Sequence, residues 1–155
     1  MEEIKKYIRT DIVDARRMRY GEFVESFKVV PDVSTYHNAN GFVVYGDEPF
    51  WVDERTFKNN FIEVKNNTNL TGSFYSIGEK MVEDFIATKR VEQLGVKTTL
   101  VAVELKNGFE IIETSSCVDA DNFDMNIGEE ICMKKIKDKI WTFLGFLLQS
   151  AVVKK

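Results

Sequence analysis

Only two cysteines, two prolines and one histidine occur among the 155 residues. Cys117 and Cys132 are too few for the disulfide scaffold by which small secreted domains compensate for a thin core, so a reducing, cytoplasmic setting is expected. No run of about 18 apolar residues is present, so no membrane-spanning segment is expected. The opening MEEIKKYIRT likewise has no apolar stretch of the kind a secretion signal carries. Positive charge is not in excess. A net charge of −4 supplies no global electrostatic reason to bind nucleic acid, whose affinity comes largely from neutralised phosphates. His37 sits in a polar loop with no Cys or second His at zinc-ligand spacing. There is also no glycine-rich phosphate cradle, no Ser-His-Asp grammar and no paired-carboxylate signature. Hence no catalytic residues, metal or cofactor are expected, and the chain reads as a non-enzyme.

What is present is ordinary globular material, 44% apolar and 30% charged, long enough for one core or two small ones. Lys5 to Met18 mixes β-branched residues with charges and reads as a strand. Tyr20 to Phe27 fits two helical turns with Phe23, Val24 and Phe27 on one side, and Pro31 to Asn40 is a loop. FVVY and FWV flank Gly46-Asp47-Glu48-Pro49 within Gly41–Asp53, which is hairpin grammar. Glu54 to Phe61 reads as a short helix and Ile62–Val64 as a strand. Lys65 to Ser73, rich in Asn, Thr, Gly and Ser, is the linker that divides residues 1–65 from 74–155.

In the second part, Ser76 and Glu79 have capping-box spacing, which predicts a helix start near Ile77. Phe85 to Leu94 fits either a continued helix or a strand. Thr98–Leu105, Lys106-Asn107-Gly108 and Phe109–Thr114 form a hairpin around Asn-Gly. From Phe123 to about Val152 the positions Ile127, Ile131, Ile136, Ile140, Leu144, Leu147 and Leu148 recur at helical spacing, and Asp119 or Asn122 would cap that helix. The resulting fold class is α+β: two small units, each an antiparallel hairpin or sheet with a packed helix, ending in a long amphipathic helix.

Few residues could carry chemistry. DADNFDMNIGEE (Asp119–Glu130) superficially spells a calcium loop, but Phe123 takes a ligand position and Asp124 replaces the turn glycine, so helix capping is the reading. Cys117 with His37 is a formal nucleophile pair, while a small Cys at a strand end ordinarily packs. Arg16, Arg17 and Arg19 cluster beside an aromatic-rich segment containing Tyr45 and Trp51. Arginine forks hold phosphate and aromatic faces stack on bases, so these five residues are the candidate ligand site for a small nucleotide. The alternative is that the rings fill a core and the arginines are solvated. Lys134, Lys135, Lys137 and Lys139 read as the exposed side of the last helix.

The C-terminal segment resembles the phage "gp forty-nine / gene sixty-six" accessory-protein family. The residues that carry the resemblance are Leu105, Asn107, Gly108 and Phe109, then Ser115, Cys117, Val118, Asp119, Asn122, Phe123, Asp124, Ile127 and Gly128. Lys139, Ile140, Trp141, Leu144, Gly145, Phe146 and Leu148 complete it. The resemblance implies helix then strand before the hairpin, which favours a strand over Phe85–Leu94. Glu113 and Ile136 depart from a common Gly and Ala, which implies local repacking. Lys6, Tyr7, Ile8, Thr10, Ala15, Met18, Gly41, Phe42, Val44, Tyr45, Trp51 and Phe57 are similar to a module that opens many small phage and prophage proteins. Some proteins with that module resemble phage proteins that sequester nucleotide signals of bacterial defence. The expectation is therefore a phage accessory protein that acts by binding, its partner a small nucleotide-derived signal. The competing expectation is a structural or interaction module, with the hairpin edge or last helix pairing with a second copy or a host protein.

Overall fold

Residues 14–19 and two runs rich in β-branched and aromatic side chains within 40–53 build the first sheet. A computed structural model describes residues 11–32, 34–64 and 75–152. Strand β1 (Asp14–Arg19) leads directly into α1 (Tyr20–Phe27), followed by β2 (Asn40–Tyr45), β3 (Phe50–Asp53) and α2 (Glu54–Asn60). The sheet is antiparallel in the order β1-β2-β3, with Arg16 opposite Val43 and Val43 opposite Trp51. Paired residues share a face, and neighbours along a strand alternate. One face therefore carries Met18 and Val43, which pack with Tyr20 and Phe23 of α1. On the other face Phe42 stacks on Phe57 of α2, ring centroids 4.0 Å apart.

The second sheet has the order β4-β5-β6, from β4 (Ile86–Leu94), β5 (Thr98–Leu105) and β6 (Glu110–Ser116), preceded by α3 (Glu79–Asp84). Its turns are set by glycine in the left-handed region, Gly95 at φ 68° and Gly108 at φ 81°. Asn107 stabilises the second turn by accepting the Phe109 N–H on its side-chain oxygen at 3.1 Å. After a 3₁₀ turn at Ala120–Asn122, α4 (Met125–Ala151) lays Cys132, Ile136, Ile140 and Leu144 into one core with Val101, Val103, Leu105, Ile111, Met81, Val82 and Phe85. The fold is thus α+β, two antiparallel sheet-and-helix units with a long C-terminal helix. One compact unit comprises Met1–Lys58 with Leu147–Lys155 and the other Asn59–Phe146.

Several expected boundaries move. Residues 11–13, expected within the first strand, lie outside β1 (Asp14–Arg19), while positions 5–10 and the linker Lys65–Ser73 lie outside the described residues. Ile62–Val64 is not a strand. Gly78, not Ser76, stands at the cap of α3, its carbonyl accepting from Met81 N–H at 3.0 Å and Val82 N–H at 3.3 Å. The Phe85–Leu94 alternative resolves to strand, with eight of the nine residues of β4 paired along β5 and a bulge at Ala87. Asp119 caps only the 3₁₀ turn, and Asp124 caps α4, its Oδ1 accepting from Asn126 N–H at 2.8 Å. The extended backbone of Phe123 separates the two caps. The buried stripe of α4 runs Gly128, Cys132, Ile136, Ile140, Leu144, and Ile127 and Ile131 fall outside it.

Charges of α4 also differ from a plain solvated face. Lys139 and Lys135 reach Glu113, and Lys137 reaches Glu83 at 2.7 Å. Glu113 faces the helix because it is register-paired with core-facing Val101. It thus answers the helix lysines. Ile136 is fully buried.

Candidate ligand site

Trp51 is the hub of the N-terminal unit. Its ring lies over Gly41, where a Cβ would come within 2.3 Å of the indole. That close approach requires glycine. The indole N–H donates to the Met18 carbonyl at 2.8 Å, tying the β3 edge across β2 to β1. Its ring also meets Tyr20 edge-on at a centroid distance of 5.1 Å. The Tyr20 hydroxyl in turn accepts the Asp32 N–H at 2.6 Å, which anchors the loop after α1.

Tyr20, Phe50 and Trp51, with Asp32, Thr35 and Asp53, line a groove of about 540 Å³. Phe50, 49% exposed, borders the groove on β3, and its pairing with Val44 puts it on the face opposite Trp51. Both carboxylates are already engaged in turns. Asp32 accepts from the Ser34 N–H at 2.9 Å and from the Ser34 hydroxyl at 2.8 Å. Asp53 caps α2 by accepting from Thr56 N–H at 2.9 Å. The Thr56 hydroxyl and N–H hold the Asp53 carboxyl below the ordinary aspartate value of 3.8, and the Ser34 N–H and hydroxyl do the same for Asp32. Because the folded-state value is depressed, the stabilising contribution is complete above about 3.8 and is lost as pH falls through the lower folded value. Asp53 should therefore titrate below 3.8 when its side-chain carboxyl is followed by NMR. A midpoint at or above 3.8 would show that the α2 cap is not formed.

The five candidate residues divide between the two faces of the sheet. Arg16, Tyr45 and Trp51 share the α1 face by register, Arg16 opposite Val43 and Trp51 on the far side of Val43. Arg17 and Arg19 project to the other face. Arg17 reaches Glu54 at 3.4 Å, and the Glu54 carboxyl is held low, chiefly by Lys58 and also by Arg17. Arg19 donates its backbone N–H to Glu22 at 3.1 Å at the start of α1. None of the three arginines lines the groove. Sequence reasoning missed Gly41, Asp32 and Asp53. The aspartates had a legible signal, since Asp32-Val33-Ser34 and Asp53 three residues before Thr56 are turn and cap spacings.

Elsewhere the reactive groups serve local structure. His37 lies on Gly21, where a Cβ would come within 2.2 Å of the imidazole, and faces Glu25 at 3.9 Å. The Cys117 thiol donates to the Asp119 carbonyl at 3.0 Å. Burial pushes the Cys132 thiol up, away from thiolate chemistry. No group of three or more His, Cys, Asp or Glu is placed to hold a metal ion among the described residues. No helix is long and apolar enough to cross a membrane among those residues.

The class defined by these features is a two-unit α+β protein with a small aromatic groove and a sheet capped by a long helix. Residues 77–152, just under half of the chain, match the model of the Phage protein (N4 Gp49/phage Sf6 gene 66) family. The C-terminal portion of the chain thus resembles that phage family, as its hairpin and capping residues imply. No curated protein and no solved structure matches the chain.

Proposed function

We propose that this is a phage or prophage accessory protein that acts by binding inside the infected cell, with residues 1–65 and 74–155 serving as separate modules. In this reading the groove of the N-terminal unit takes the planar part of a small nucleotide-derived signal and sequesters it. The observation that carries the reading is the aromatic wall formed by Tyr20 and Trp51, whose indole is held by Met18 and backed by Gly41. A base stacks on such a wall, and stacking of this kind is worth roughly 1–3 kcal/mol per base. Thr35, whose hydroxyl donates to the Asp32 carboxylate at 3.3 Å, lines the same groove. Arg16 is assigned the phosphate because it shares the Trp51 face, as does Tyr45. Arg17, paired with Glu54, and Arg19 project to the other face and are given no part in holding the ligand.

The test is native mass spectrometry and thermal shift of nucleotide-free protein with cyclic and ADP-ribose-type nucleotides. A retained nucleotide mass, weakened in both Trp51→Phe and Arg16→Ala, is the expected result. A panel in which no nucleotide is retained and none raises the melting temperature overturns the reading.

A further inference from the structure

The outward side of α4 carries a second pattern, distinct from its buried stripe. Ile127, Ile131, Lys134, Asp138, Trp141 and Gly145 follow one another at alternating spacings of four and three, the 3.5-residue period of a coiled-coil seam. At 100° per residue this row lies on the side of the helix away from Ile136. Its apolar members are left in solvent, Ile127 at 58% exposure, Ile131 at 43% and Trp141 at 46%. Lys134 and Asp138 are exposed, and neither side chain makes an ion pair or hydrogen bond with the described residues. Their helix neighbours Lys135, Lys137 and Lys139 are all tied to Glu113, Thr114 or Glu83.

We propose that this face is a homodimer interface on which a second copy of α4 packs antiparallel, with the two-fold axis crossing the outward face at the level of position 136. That axis relates position 131 to 141, 134 to 138 and 127 to 145. Ile131 then meets Trp141 of the partner copy, and Lys134 meets Asp138. Ile127 meets Gly145, where a Cβ would have nothing within 4 Å and the backbone lies open to a neighbour. Each layer occurs twice by symmetry, so the contact row spans about 27 Å of helix at 1.5 Å per residue. Charge complementarity selects the second copy and its direction. An in-register parallel pairing stacks Lys134 on Lys134 and Asp138 on Asp138, whereas the antiparallel one makes two opposite-charge contacts flanked by apolar layers. The inference is independent of the ligand reading, since it uses no residue of the groove.

The experiment is sedimentation velocity of the full chain over a concentration series. Wild type should sediment as a dimer. K134D, which places like charges in both central layers, should raise the dissociation constant on the order of 100-fold. The double swap K134D/D138K should restore it to within a few-fold of wild type. Circular dichroism should be unchanged in both variants, because both positions are exposed. A wild-type monomer, a K134D dimer as tight as wild type, or a double swap as weak as K134D would each overturn the proposal.

Discussion

Gly128→Ala should lower the unfolding free energy by about 3 kcal/mol, although alanine is intrinsically better in a helix by about 1 kcal/mol. The reason is the seat of α4 on β5. A Cβ at position 128 would lie 2.1 Å from the Thr99 hydroxyl oxygen and 2.6 Å from the Thr99 Cβ. Thr99 is fully buried and β-branched, and rotation about χ1 leaves its Cβ where it is, so the contact cannot be relieved by changing rotamer. The first turn of the helix must lift, loosening Cys132, whose thiol points at the Thr99 carbonyl at 3.9 Å, and Ile136 behind it. The companion substitution Thr99→Val should behave oppositely. The Thr99 hydroxyl is buried without a hydrogen-bond partner in the described structure, so an isosteric methyl should be neutral or stabilising by up to about 1 kcal/mol. Urea unfolding of both variants checks the pair. A loss below about 0.5 kcal/mol for Gly128→Ala would mean that helix and strand do not meet this closely.

Trp51→Ala should destabilise the N-terminal unit by about 3 kcal/mol, the lower end for removal of a large aromatic because Trp51 is only half-buried. Three contacts go together: the cover over Gly41, the bond to the Met18 carbonyl and the edge-on contact with Tyr20. Trp51→Phe should recover part of the loss, since a phenyl ring still covers Gly41 but cannot donate to Met18. Denaturant unfolding read by far-ultraviolet circular dichroism distinguishes the three proteins. Equal stability of Trp51→Ala and wild type would show that the indole serves only a ligand.

The same residue illustrates what was legible before the fold was known. Local chemistry was readable wherever it is decided within a few residues. The helix at Tyr20–Phe27, the strand Thr98–Leu105 and the Asn107-Gly108 turn fall where composition places them, because side-chain spacing and glycine's access to positive φ act locally. The hairpin at Gly41–Asp53 was legible for the same reason, and the identity of β4 came from family resemblance, not from its ambiguous spacing.

The candidate site depended on longer-range facts. Arg16 and Arg17 are neighbours in sequence and opposite in space, a consequence of strand alternation once β1 is known to pair with β2. Which of them shares a face with Trp51 required the register with β2 and β3, and therefore two pairings. In α4 both a 128–132–136–140–144 stripe and a 127–131 row have helical spacing. Only the presence of Thr99 beneath Gly128 selects the first for burial and leaves Ile127, Ile131 and Trp141 outside. Spacing within the chain thus determined the elements and their turns. The tertiary structure decided which face each element buries, because burial is settled by what lies opposite a residue, and that partner is remote in sequence.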